Sequence, residues 1–255
     1  MIKRVVVYLS MFFVMQFVAN GLVMAGNLII NGKEAEMGTV QLLIGQILFG
    51  ILCIVVFLAL RWTPVSPHYL STRPFLVVVW CVIASVGTIV PSLCLEQYLD
   101  FLPDVSGEML LDFIQHRWGY LAVGILAPLS EEIVFRGAVL RSLLESKTMG
   151  RWWAITVSSL LFAVAHLNPA QMPHVFLMGL LLGWLYERSR SLIPCTILHC
   201  ANNTLAYLLA AAYPAPDITL RQIVGGSAQA EWMAVGFSLL ILIPALFQLS
   251  QQLKR

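Results

Sequence analysis

Eight apolar runs divide this chain, each close to the roughly 20 residues that a helix needs to cross the hydrocarbon core of a bilayer. They fall near 5–25, 39–60, 75–94, 118–144, 152–167, 171–187, 192–212 and 231–250. At that depth no water is present to satisfy a peptide group, so such runs must close their hydrogen bonds internally, as helices. Composition agrees. Hydrophobic residues make up 59% of the chain and charged ones 11%, with a mean hydropathy of +0.84, where a soluble domain carries about 25% charge. The expected fold is an all-α membrane protein of about eight transmembrane helices.

Lys and Arg set the orientation. They collect at both termini and in alternate connectors, those holding Arg61 and Arg73, then Arg141, Lys147 and Arg151, then Arg188 and Arg190. The opposite face has Lys33, Arg117 and Arg221, and Arg136 lies inside a segment. Positive residues stay on the cytoplasmic side, so both termini are expected there and the helix count is even. The first run follows Lys3 and Arg4 but is longer than the 7–15 residues of a signal-peptide core. A retained first helix in a bacterial inner membrane is the expectation. A net charge of +2 without a basic run excludes a nucleic-acid partner.

The chain divides into 1–116 (helices and an acidic connector), 117–212 (a polar-decorated core) and 213–255 (a last connector and helix). The stretch "GEMLLDFIQHR" within 95–117 is expected as an interfacial amphipathic helix. Five cysteines, Cys53, Cys81, Cys94, Cys195 and Cys200, lie in or beside apolar runs with no CxxC spacing, which suits packing residues. "GLLLG", Gly179 to Gly183, lets a second helix of the same chain come close. Trp62, Trp118, Trp152, Trp153 and Trp232 fall at segment ends as interfacial anchors.

Against this background the stretch "APLSEEIVFRGAVLRSLL", residues 127–144, is anomalous. An ionisable group at the bilayer centre costs about 2.5–3.5 kcal/mol on insertion scales and calls for a partner and a role. Glu132 and Arg136, at i and i+4, can pair on one helix face. Glu131 points about 100° away in an α-helix and is left over for chemistry. Three more polar residues lie in the runs that follow: His166 in "LLFAVAH", and His199 with Asn203 four residues on in "HCANN". His68 and His116 fall in connectors, and His174 opens the sixth run.

These residues resemble, in order, the motifs of the intramembrane proteases that include type II CAAX prenyl endopeptidases and bacteriocin-processing or immunity proteins (the CPBP or Abi family). "EEIVFR" is similar to the first motif, "FAVAH" (Phe162 to His166) to the second and "HCANN" (His199 to Asn203) to the third. The resemblance covers roughly 128–205 and implies a polar catalytic cavity among the helices of the C-terminal half. It implies Glu131 as the glutamate that activates water, and His166 as the residue holding that water or a metal. His199 and Asn203 would face the substrate carbonyl, with Glu132 and Arg136 in support. The expected function is an intramembrane endopeptidase acting near the terminus of a membrane-associated or lipidated protein.

General chemistry points the same way. Hydrolysis of a peptide needs a base for water and donors for the oxyanion. Glu131, His166 and His199 also form a donor set that suits a catalytic zinc with an open position, so metal and metal-free mechanisms both stay open. There is no HExxH, GxGD or GxSxG, which sets aside zincin-type, intramembrane aspartyl and nucleophile-elbow sites. A non-catalytic scaffold or immunity protein is the alternative of another class. A proton path is a third, weakened by the lack of repeat symmetry.

Overall fold

The computed structural model describes residues 1–32, 36–65, 75–146, 148–215 and 218–253. His68 and the positive residues Lys33, Arg73, Lys147, Lys254 and Arg255 lie outside the described residues. Among those described there is no strand. The helices are α1 (Ile2–Asn31), α2 (Thr39–Ala59), α3 (Leu76–Tyr98) and the short α4 (Gly107–Gln115), then a long α5 over 120–144. There follow α6 (Arg151–Ala165), α7 (Met172–Ser189), α8 (Leu192–Ala212), the single turn α9 (Leu220–Ile223) and α10 (Ala228–Gln252). The eight expected runs each coincide with one long helix, and the expected interfacial helix is α4. Five of them, α1, α2, α3, α8 and α10, are long and apolar enough to cross a membrane.

Antiparallel neighbours bring residues 1 and 253, the described ends, to one side. Tyr8 of α1 packs on Phe57 and Trp62 beyond α2, while at the far end Gln41 donates to Asn27. Arg141 reaches the carbonyl of Trp62, and Gln97 of α3 donates to Glu231 at the start of α10. One apolar core draws residues from α1, α2, α3, α5, α6, α7, α8 and α10. Side chains on the outside of α1 and α10 stay exposed, Phe17 and Leu240 among them, as lipid contact requires. Trp118, Trp152, Trp153 and Trp232 are exposed at helix ends. Trp62 is not: it is half-buried, wedged between Tyr8 and Phe57. The cysteines are unpaired and four are buried. Gly179 and Gly183 do seat a helix of the same chain. A Cβ on Gly179 would come within 2.9 Å of Ser159 Cβ, and one on Gly183 within 2.9 Å of Ile155.

The departure from expectation is α5, which is not an α-helix throughout. Two π-helical stretches, Tyr120–Leu126 and Glu132–Leu140, flank a single α-turn, Ala127–Glu131, before the closing turn Arg141–Leu144. A π stretch bonds i to i+5 and is rare, with a bias toward functional sites. Pro128 supplies a local cause for the first. A proline ring crowds the carbonyl four residues back and offers no N–H, and a wider turn relieves the crowding. Ala127 N–H bonds to Ala122 O, so with no donor at 128 the Val123 carbonyl has nothing within the helix. Asn203 donates to it across the interface at 3.1 Å. In the second stretch, side chains from other elements take backbone carbonyls: Thr63 that of Ile133 at 2.6 Å, Ser158 that of Phe135 at 3.3 Å. Irregular backbone at membrane depth persists only where protein groups satisfy it in this way.

Candidate active site

Every residue from Glu132 to Leu140 is buried, which makes α5 the central pillar of the bundle. Glu132 has no exposed side-chain surface and Arg136 has 1%. Arg136 Nη1 donates to Glu132 Oε1 at 2.8 Å, and Nη2 to the Gly179 carbonyl at 3.2 Å. The absence of a side chain at Gly179 thus serves two ends, close helix approach and access to that carbonyl. The guanidinium also lies over the Phe162 ring, 4.4 Å from its centroid, a favourable contact when desolvated. The i, i+4 pair expected from sequence is present, and it survives the π geometry.

Glu131 does not turn toward a neighbour of its own. Both glutamates meet His199. Nδ1 of His199 donates to Glu132 Oε1 at 2.8 Å, while its Nε2 stands 3.7 Å from Glu131 Oε2. His199, carried in by α8, stands between the two carboxylates, which diverge as neighbours along α5. Because a carboxylate accepts, Nδ1 carries the ring proton there, and Nε2 is the nitrogen presented to Glu131. A carboxylate holding one imidazole nitrogen fixes the ring and the role of the other. Glu131 keeps 16% of its side chain exposed, against 6% for His199, so of the two glutamates it is the one open to water.

His166 follows the last residue of α6. Its Nδ1 donates to the Phe162 carbonyl at 2.9 Å, which leaves Nε2 as the free nitrogen. Phe162 organises the group: its ring meets His166 edge-on at 4.9 Å and His199 at 5.8 Å. Phe162 entered the sequence reading only as a motif letter, and its contacts with two histidines and the guanidinium were not legible there. His174, in the first turn of α7, lies within electrostatic reach of both His166 and His199. Asn203 shares a helix face with His199 as expected, but one of its amide protons is committed to Val123 O, and one remains. The more buried amide is that of Asn202, whose Oδ1 accepts from Thr88 of α3 at 3.0 Å.

Among the described residues, no group of three or more His, Cys, Asp or Glu side chains is placed to hold a metal ion. Glu131, His166 and His199 therefore do not fit as a three-ligand set in this arrangement. The nitrogen of His199 on the Glu131 side faces a carboxylate already, and Glu132 is spent on Arg136 and His199. Glu132 Oε2 and Arg136 Nε are buried without a protein partner. Such orphaned polar atoms are uncommon and require an explanation.

Comparison with known proteins bears on the same stretch. Residues 113–205 match the family model described as type II CAAX prenyl endopeptidase Rce1-like. An "Uncharacterized 24.3 kDa protein" of Escherichia coli is 35% identical over 91 residues, 34% of this chain and 42% of that protein. The UPF0177 protein YxdF of Lactococcus lactis subsp. lactis (strain IL1403) is 31% identical over 83 residues, 32% of this chain and 44% of that one. The alignment thus spans less than half the length of either relative. No solved structure matches. The segment 113–205, which holds Glu131, Glu132, Arg136, Phe162, His166, His199 and Asn203, is Rce1-like in sequence, the resemblance its three motifs carry.

Proposed function

We propose that the chain is an intramembrane endopeptidase that cleaves a peptide bond near the terminus of a membrane-associated or lipidated protein, using water activated by Glu131. One observation supports this above the others. A partly exposed carboxylate faces one nitrogen of an imidazole whose other nitrogen is held by a buried Glu132–Arg136 pair. A pure packing network would have no use for the second carboxylate.

The 3.7 Å gap between Glu131 Oε2 and His199 Nε2 is too long for a direct hydrogen bond. A water beside them, with two legs of about 2.8 Å, bridges it. Glu131 takes a proton from this water as its oxygen attacks the scissile carbonyl carbon. His166, with its Nε2 free, helps to hold that water. His199 faces the substrate carbonyl, and the uncommitted N–H of Asn203 on the same helix face donates to the oxyanion. Glu131 returns its proton to the leaving amine nitrogen as the C–N bond breaks. The substrate and a cytoplasmic placement of both termini belong to the same reading.

The test compares the peptide termini in membrane fractions from cells carrying the wild type and Glu131→Gln at equal abundance. Loss of a general base lowers rate by about 10²–10⁴-fold, so Glu131-dependent termini are expected to vanish. Identical termini, with the native phenotype preserved in the variant, would overturn the proposal in favour of a binding or immunity role.

A further inference from the structure

His166 is presented to the site at the end of α6, where the chain bends away sharply. Leu167, the next residue, is left-handed at φ +53°, a conformation that a branched side chain adopts only when its surroundings impose it. The helix closes loosely, with His166 N–H to Ala163 O and Leu167 N–H to Val164 O. What imposes the bend comes one residue later. Asn168 has no exposed surface, and its side chain spends each of its groups on a remote segment. Nδ2 donates to Asp104 Oδ1 and to Ser106 Oγ, each at 2.7 Å, and Oδ1 accepts from Val105 N–H at 3.3 Å. Asp104 Oδ1 also accepts from Ser106 and Gly107 N–H, where it opens α4. Ala170 N–H bonds to Pro103 O, and the Asn168 carbonyl accepts from Gln171 and Met172 N–H at the start of α7. The α6–α7 connector is thus stapled to the turn before α4.

We infer that Asn168 and Asp104 are positioning residues for His166: the staple fixes the left-handed step at Leu167, and through it the depth at which Nε2 of His166 is offered to the water on Glu131. The inference rests on the hydrolytic reading of the site. Its geometric half, that the staple sets the presentation of His166, does not. Asn168 can play this part because an amide supplies donors and an acceptor at once. Without the staple Leu167 is free to return to a helical or extended conformation, and the last turn of α6, which carries His166, loses its anchor.

Two readouts test it on the full chain in membranes. The first is the carbethoxylation rate of His166 by diethylpyrocarbonate, read by peptide mass spectrometry in the Glu131→Gln background. The second is Glu131-dependent cleavage. Asn168→Ala is expected to change the His166 rate while leaving that of His199 alone, and to lower cleavage by about 10–100-fold, the usual effect of losing an orienting partner. Ser106→Ala, which removes one of the two Nδ2 acceptors, should move both readouts the same way by less. Glu231→Gln serves as a control, because it breaks a separate tie to Gln97 and Arg221 and should leave His166 reactivity unchanged.

Unaltered His166 reactivity in Asn168→Ala and Ser106→Ala would sink the inference. So would a change that Glu231→Gln reproduces. Should His166 follow the staple in a protein that shows no Glu131-dependent cleavage, the hydrolytic reading fails and the positioning stands.

Discussion

Removing the guanidinium of Arg136 while keeping Glu132 should be worse than removing the charge of both. Arg136→Met leaves a carboxylate with no exposed surface and no cation, and breaking a buried pair from one side costs about 3–5 kcal/mol. The Gly179 carbonyl loses its donor, which adds about 1–3 kcal/mol if nothing replaces it. The contact with the Phe162 ring is worth about 0.5–2 kcal/mol more. These terms overlap, and the uncompensated charge dominates. Glu132→Gln alone strands the cation and falls in the same range. The double variant Glu132→Gln/Arg136→Met buries no charge, and its glutamine oxygen still accepts from His199 Nδ1. What remains is chiefly the Gly179 carbonyl, about 1–3 kcal/mol. A double-mutant cycle on the purified protein in detergent, unfolded thermally and followed by tryptophan fluorescence, should therefore give a coupling of at least about 3 kcal/mol, at or above the upper end usual for residues in contact. Costs that simply add would refute the claim that the pair is one electrostatic unit.

Other outcomes follow from single contacts. Asn203→Ala orphans the Val123 carbonyl and should cost about 1–3 kcal/mol; in a Pro128→Ala background, where residue 128 regains an N–H, the same change should cost less. Thr63→Val removes the hydroxyl that donates to Ile133 O and should lower the melting temperature, with a loss of about 1–3 kcal/mol. Gly179→Leu forces a side chain against Ser159 and parts α6 from α7; an unchanged melting temperature would contradict the close packing, for which about 1–3 kcal/mol is typical. Cysteines placed singly at residue 2 and residue 253 should react with a membrane-impermeant maleimide only after the cytoplasmic face is opened, and labelling of either in intact cells would reverse the proposed orientation.

The sequence determined the helical class because a chain this apolar has no other way to satisfy its backbone in lipid. Run length located the eight long helices to within a few residues, and i, i+4 spacing paired Glu132 with Arg136. The three motifs named Arg136, His166 and His199, which gather around Phe162. All of these are local or compositional signals, readable along one strand of text. The arrangement of the two glutamates was not. Nor was the π geometry of α5, because no residue preference announces a π-helix; Pro128, three residues before Glu131, was the one hint. Thr63, Ser158 and Asn203, from three other elements, donate to carbonyls along it. Tertiary contact therefore decided that His199 stands between Glu131 and Glu132, and that Asn168, remote from them in sequence, sets the bend beside His166. Hydrogen bonds between segments carry no periodicity along the chain, so only the assembled helices reveal them.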